Sequence, residues 1–224
     1  MAFVKNVQSK NKFHPNMGIG GSIKYIKTDL GEFKRMYDNI EESIRSKGFL
    51  ISSSNLDNGP NKFITANIFI RILESYGLYF EAGKGTEGKW DTFYTSGSIR
   101  YYIDFKRLDW LKLHMGLGYT KIGFKVQENY GTAISTTNNG SYWRLDEINT
   151  EGNSKGFTLN LGTDFGLFDY SSHTYLTLFT DFSYSFFEEK QYTVSYTGPE
   201  ISFANLSKTN FKKFIISIGL NLYF

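Results

Sequence analysis

The chain has 224 residues, a formal net charge of +3 and no cysteine. That length fits one β-barrel domain, the absence of a basic stripe argues against nucleic-acid binding, and the absence of thiols excludes disulfides, thiolate metal sites and a Cys nucleophile. Aromatic residues make up 18% of the chain, with 21 Phe and 16 Tyr against 3 Pro, a composition that favours strands over helices. No apolar run reaches the roughly 18 residues of a membrane-crossing helix. Mean hydropathy is negative, which a chain of alternating strands and polar loops permits even in a membrane.

Residues 1–16 are polar and unpatterned, with no apolar core of signal-peptide length. Met17–Lys27 is the first predicted strand, with Ile19, Gly21, Ile23 and Tyr25 on one face. The connection 28–62 contains a predicted helix, Asp29–Lys47. Asp29 and Glu32 form a capping-box pattern. Leu30, Phe33, Tyr37, Ile40 and Ile44 recur at helical spacing, and Gly48 stands where the helix should stop. Phe63–Leu73 is the second strand, and a short turn leads to the third, Gly77–Lys84. A Gly-containing loop then runs to Asp91, followed by the fourth strand, Thr92–Phe105.

Another short turn leads to the fifth strand, within Trp110–Val126. Residues 127–154 carry TTNNGS and NTEGNS and read as a long loop. Lys155–Phe168 is the sixth strand, Asp169–His173 a short turn, and Thr174–Val194 the seventh. Residues 195–210 form the last loop before the closing strand, Lys213–Phe224 (KFIISIGLNLYF). There Phe214, Ile216, Ile218, Leu220, Leu222 and Phe224 share one face, and Ser217, Gly219 and Asn221 share the other.

This closing strand, an apolar stripe ending on an aromatic residue, resembles that of the bacterial outer-membrane β-barrels. With seven further alternating strands joined by short turns at one end and longer loops at the other, residues 17–224 as a whole resemble the small barrels of the OmpX, OmpW and opacity-protein type. The resemblance implies an all-β, eight-stranded antiparallel up-and-down transmembrane barrel, with long extracellular loops and an α-helix in the first. It implies residence in the bacterial outer membrane with both termini periplasmic, residues 1–16 as a short periplasmic tail, and a signal peptide absent from this sequence. It also implies that Ile216, Ile218, Leu220, Leu222 and Phe224 act as an assembly signal read by the barrel-assembly machinery, and that lipopolysaccharide and other outer-membrane lipids surround the barrel.

A soluble lipocalin-like barrel would turn the apolar face inward instead. Three features favour apolar-out. Glycines gather on the polar face, among them Gly18, Gly20, Gly83, Gly116, Gly118, Gly162 and Gly219, where a narrow interior needs small residues. The same face carries charges of both signs, and Arg71, Glu81, Arg100, His114, Asp164 and Asp181 are expected to pair across the lumen. Aromatics flank both ends: Tyr76, Phe105, Trp110, Phe168, Tyr170 and Tyr175 near the short turns, and Trp90, Phe93, Tyr142 and Trp143 near the loops.

Catalytic chemistry finds little support. Of the three histidines, His14 lies in the tail, His173 in a short turn and His114 on the lumen face, so a Ser–His acyl-transfer site near the outer leaflet lacks its base. Glu147 and Glu151 read as solvated loop charges. No metal-ligand spacing or phosphate-binding Gly motif occurs, and no catalytic residue, metal or cofactor is expected. The function that follows is a non-enzymatic surface protein with a filled polar lumen, whose loops 28–62, 127–154 and 195–210 bind an extracellular protein or host ligand, as in adhesion. A small-solute or hydrophobic-molecule channel of OmpW type is the alternative; an outer-membrane lipid-modifying enzyme ranks below it.

Overall fold

The computed structural model describes residues 16–28, 38–39, 41–46, 48–50, 62–85, 91–105, 108, 110–136, 142–171, 174–188, 190–191, 193–196, 208–209 and 211–224. Its strands are β1 (Met17–Thr28), β2 (Lys62–Leu73), β3 (Tyr76–Gly85), β4 (Asp91–Asp104), β5 (Leu111–Thr136), β6 (Tyr142–Ser171) and β7 (Thr174–Phe187). The short β8 (Lys190–Gln191), β9 (Thr193–Tyr196) and β10 (Lys208–Thr209) precede the closing strand β11 (Phe211–Tyr223).

β1 to β7 and β11 pair antiparallel with their neighbours, and a β5–β6 ladder completes the ring. At the closing seam Gly18 lies opposite Tyr223 and Ile23 opposite Ile218. Met17 N–H donates to the Phe224 carbonyl at 3.1 Å and Phe224 N–H to the Met17 carbonyl at 2.9 Å. Every barrel strand is thus paired on both sides, the condition for a sheet to sit in hydrocarbon without orphaned backbone groups. The first and last of these strands end together at the short-turn end.

Alternation sets the walls. On β2, Phe63, Thr65, Asn67 and Phe69 are buried while Ile64, Ala66, Ile68 and Ile70 are exposed. On β11, Ile215, Ser217 and Asn221 are buried while Phe214, Ile216, Ile218 and Leu220 are exposed. The buried wall faces the lumen.

The expected loop at 127–154 is corrected. β5 continues to Thr136 and β6 begins at Tyr142, paired from Leu111 opposite Phe165 up to Thr136 opposite Tyr142. An irregularity between Asn129 and Ala133 shifts their register. The Asn, Gly and Thr content that suggests a loop is also tolerated in an antiparallel β-ribbon, whose ladder is made by backbone groups. Val126, Ile148 and Thr150 retain the inward parity and are buried. Above Lys125, β5 has no β4 partner. The part of β5 beyond β4, from Val126 to Thr136, is on the order of 30 Å long at ~3.3 Å per residue.

The loop at 195–210 is corrected in part: β9 adds to β6, with Thr193 opposite Glu151, and β10 pairs with β8. Residues 197–207 lie outside the described residues. The seventh strand stops at Phe187, short of the expected Val194.

Of the predicted helix, residues 38–39 and 41–46 are helical, and Asp29, Leu30, Phe33, Tyr37 and Ile40 lie outside the described residues. Glu41 and Ile44 are buried, and Arg45 pairs with Glu41 at 3.1 Å. Gly48 closes the helix in the left-handed region, φ 83°, where a Cβ is unwelcome. The tail 1–15, His14, Trp90 and His173 also lie outside the described residues.

Candidate functional site: the lumen

Inward parity places a charged layer at mid-height. Lys24, on β1, lies 2.7 Å from both Glu81 Oε1 and Ser217 Oγ and 5.0 Å from the Tyr94 ring centroid. Arg100, on β4, donates to Asp181 Oδ2 at 2.8 Å, and its guanidinium lies 3.4 Å over the Tyr79 ring. His114 Nε2 meets Asp181 Oδ1 at 2.5 Å and Arg100 Nη1 at 3.3 Å. On its other side Nδ1 faces Asp164 Oδ1 at 3.9 Å. Tyr223 O–H donates to Asp164 Oδ2 at 3.4 Å. Gly162 makes this packing possible: a Cβ there would meet the His114 ring, Asp181 and the Thr180 carbonyl.

These groups have relative exposures of 7% or less. Leaving any of them unpaired would cost several kcal/mol, so the cations and carboxylates hold one another in place. Around them Ser22 bonds Thr65 at 2.7 Å, and Thr158 bonds both Thr120 and Ser185 at 2.8 Å.

Apolar layers lie on both sides of the charges. Towards the long end Ile26, Phe63, Tyr94, Ile122, Phe124 and Ile215 are buried and point inward. Towards the short turns Phe69 stands edge-on to Tyr102 and Tyr223, each with ring centroids 5.4 Å apart, and Tyr175 stacks on Tyr223 at 5.1 Å. Below this floor a pocket bordered by Arg71, Lys112 and Asp164 has room for about one water molecule.

Of the six residues expected to form a lumen network, the structure brings Arg100, His114, Asp164 and Asp181 together and pairs Glu81 with Lys24. Arg71 stands apart at the short-turn mouth, donating to the Leu73 and Glu74 carbonyls. Lys24, on the polar face of the first strand, is not among the six expected residues. Its parity with Ser22 and opposite Ile23 was the available signal. The apolar layers were also missed, although Ile122, Phe124 and Ile215 have inward parity.

The outer wall decides where the barrel resides. Ile19, Ile68, Ile99, Leu117, Leu159, Phe182 and Ile218 all lie outward and exposed. From Phe214 to Phe224 this wall spans about 33 Å of strand, or about 25 Å of height at a tilt near 40°, the hydrocarbon band of such barrels. Tyr25, Phe93, Tyr119, Phe157, Phe186 and Phe214 edge it at the long end. Tyr76, paired with Tyr101 at 5.0 Å, and Trp110, stacked on Phe165 at 6.2 Å, edge it at the short end. Tyr175, expected in this lower girdle, turns inward instead, on the parity of Thr177 and Asp181.

The chain is a closed eight-stranded barrel with the outer wall of a membrane-spanning one. No protein-family model and no curated protein matches it. Among solved structures it is similar to neisserial surface protein A, at 12% identity over 93% of this chain and 97% of that one, with a TM-score of 0.43. It is similar to OprG of Pseudomonas aeruginosa at 14% identity, covering 95% and 98%, with a TM-score of 0.47. The N-terminal barrel domain of Pseudomonas aeruginosa OprF follows at 8% identity, covering 94% and 98%, with a TM-score of 0.41. Likenesses at these scores transfer no function. Among the described residues no group of three or more His, Cys, Asp and Glu side chains is placed to hold a metal ion.

Proposed function

We propose that the chain is a non-enzymatic surface protein of the bacterial outer membrane, with its short-turn end periplasmic and its long end presented outside. The observation that supports this reading is the stacked lumen, an ion-paired centre between two apolar layers. The protein then acts from its rim. The β5–β6 ribbon, the helix near 38–46 and the segment around β9 and β10 supply a surface for an extracellular protein or host ligand, as in adhesion.

Planar-bilayer recording of the refolded protein is the test. Absence of discrete conductance is expected, and a stable single-channel current would restore the channel reading. In the same scheme Phe224 and the stripe from Ile216 to Leu222 serve as the assembly signal. Phe224→Ser is expected to impair insertion in cells far more than refolding in detergent; equal loss in both would make Phe224 a packing residue only.

A further inference from the structure

The outward faces of β5 and β6 form a ladder that can be read step by step through their register. Leu117 stands opposite Leu159, Tyr119 opposite Phe157, Lys121 opposite Lys155, Gly123 opposite Asn153 and Lys125 opposite Glu151. The first step lies in the apolar wall. Tyr119 and Phe157 meet edge-to-face at 5.7 Å in the aromatic girdle. The last step is an ion pair at 3.5 Å. Between them, two lysines sit directly across from one another.

Like charges directly opposed on a sheet repel, their Cβ atoms being about 5 Å apart. Two neighbouring rim lysines have acids: Lys84 pairs with Asp91 at 3.6 Å and Lys125 with Glu151. Lys121 instead lies 5.4 Å from the centroid of the Phe93 ring. Glu188 is the acid beside Lys155, its N–H donating to the Lys155 carbonyl at 2.9 Å, but no side-chain ion pair within 4.0 Å joins them. Among the described residues no ion pair within 4.0 Å neutralises this step, which lies one residue pair above the girdle, at the height where lipid headgroups carry their phosphates. Lysine ammonium groups bind phosphate as point charges, and one anion between them would replace repulsion by charge-assisted hydrogen bonds.

We propose that Lys121 and Lys155 bind the phosphate of an outer-leaflet phosphoglycolipid of lipid A type, whose acyl chains lie against Tyr119, Phe157 and the wall below. This rests on the reading that the long end faces outward. Beneath the lysines the wall is apolar through Tyr119 and Phe157, Leu117 and Leu159, and Met115 and Leu161, which suits an anionic headgroup attached to acyl chains rather than a free anion.

The test is native mass spectrometry of the full chain folded in zwitterionic micelles, with bisphosphorylated lipid A, phosphatidylcholine and inorganic phosphate as separate probes. Selective binding of lipid A is expected. It should weaken about tenfold or more in Lys121→Gln/Lys155→Gln, the loss of a charge-assisted contact, and stay unchanged in Lys84→Gln. Lys121→Glu should bind no lipid A yet unfold at the same or a higher temperature in micelles, because it gains an ion pair with Lys155. Equal lipid A binding by the double variant, or equally tight binding of free phosphate, overturns the proposal alone. A chain without a compact, heat-modifiable form in micelles overturns the barrel reading and the proposal together.

Discussion

Ser217 and Ile218 are neighbours in β11, yet Ser217 is 1% exposed and Ile218 is 50% exposed. The same inversion runs around the ring, so each barrel strand has one wall fixed by its partners and one fixed by its solvent. The inner wall is specified pair by pair: Arg100 requires Asp181, Lys24 requires Glu81, and Gly162 leaves the space that His114 fills. The outer wall asks only that a side chain be apolar, because acyl chains conform to whatever shape they meet. Inner substitutions are therefore expected to be costly and specific, and outer ones to scale with polarity and depth.

The largest expected effect is on the inner wall. Arg100→Met leaves Asp181 without the guanidinium that bonds its Oδ2 and should cost about 3–5 kcal/mol in a urea titration of the folded barrel. A double Arg100→Met/Asp181→Leu variant should recover part of that loss. If the double variant were no better than the single, the pairing would not be what holds the centre.

An arginine on the outer wall should cost somewhat less. Ile218→Arg, near mid-height, is expected to destabilise by about 2–4 kcal/mol, and the same change at Phe214 by about 1 kcal/mol or less. Equal costs at both positions would contradict the assigned membrane depth. The smallest effect should come from exchanging apolar groups outside: Leu117→Ile should move the unfolding midpoint within measurement error. Truncating Phe69 to Ala inside should cost about 3–5 kcal/mol, since it empties the aromatic floor.

Alternation alone gave the strands and their two faces, because period two is written directly into runs such as FITANIFIRIL. It did not decide which face is buried. That took the charges of both signs and the glycines of the polar face together with the aromatics at both ends, a combination that suits a narrow closed lumen inside an apolar wall. The ribbon from Val126 to Thr136 was not legible, because outside the bilayer neither face has to be apolar and Asn, Thr and Gly carry no period. Tyr175 was misplaced because proximity to a turn outweighed its parity with Thr177. Lys24 was missed because its partner Glu81 is two strands away, and sequence spacing holds no trace of that distance.

The seam between β1 and β11 joins the first strand to the last, with Gly18 opposite Tyr223. No other ladder of the barrel links residues so far apart in the chain, so this closure carries a large loop entropy and should form late. Until it forms, two strands present open ladders to hydrocarbon, where each unsatisfied amide costs several kcal/mol. Folding and insertion are therefore expected to be one cooperative event, timed by the arrival of the last strand at the first.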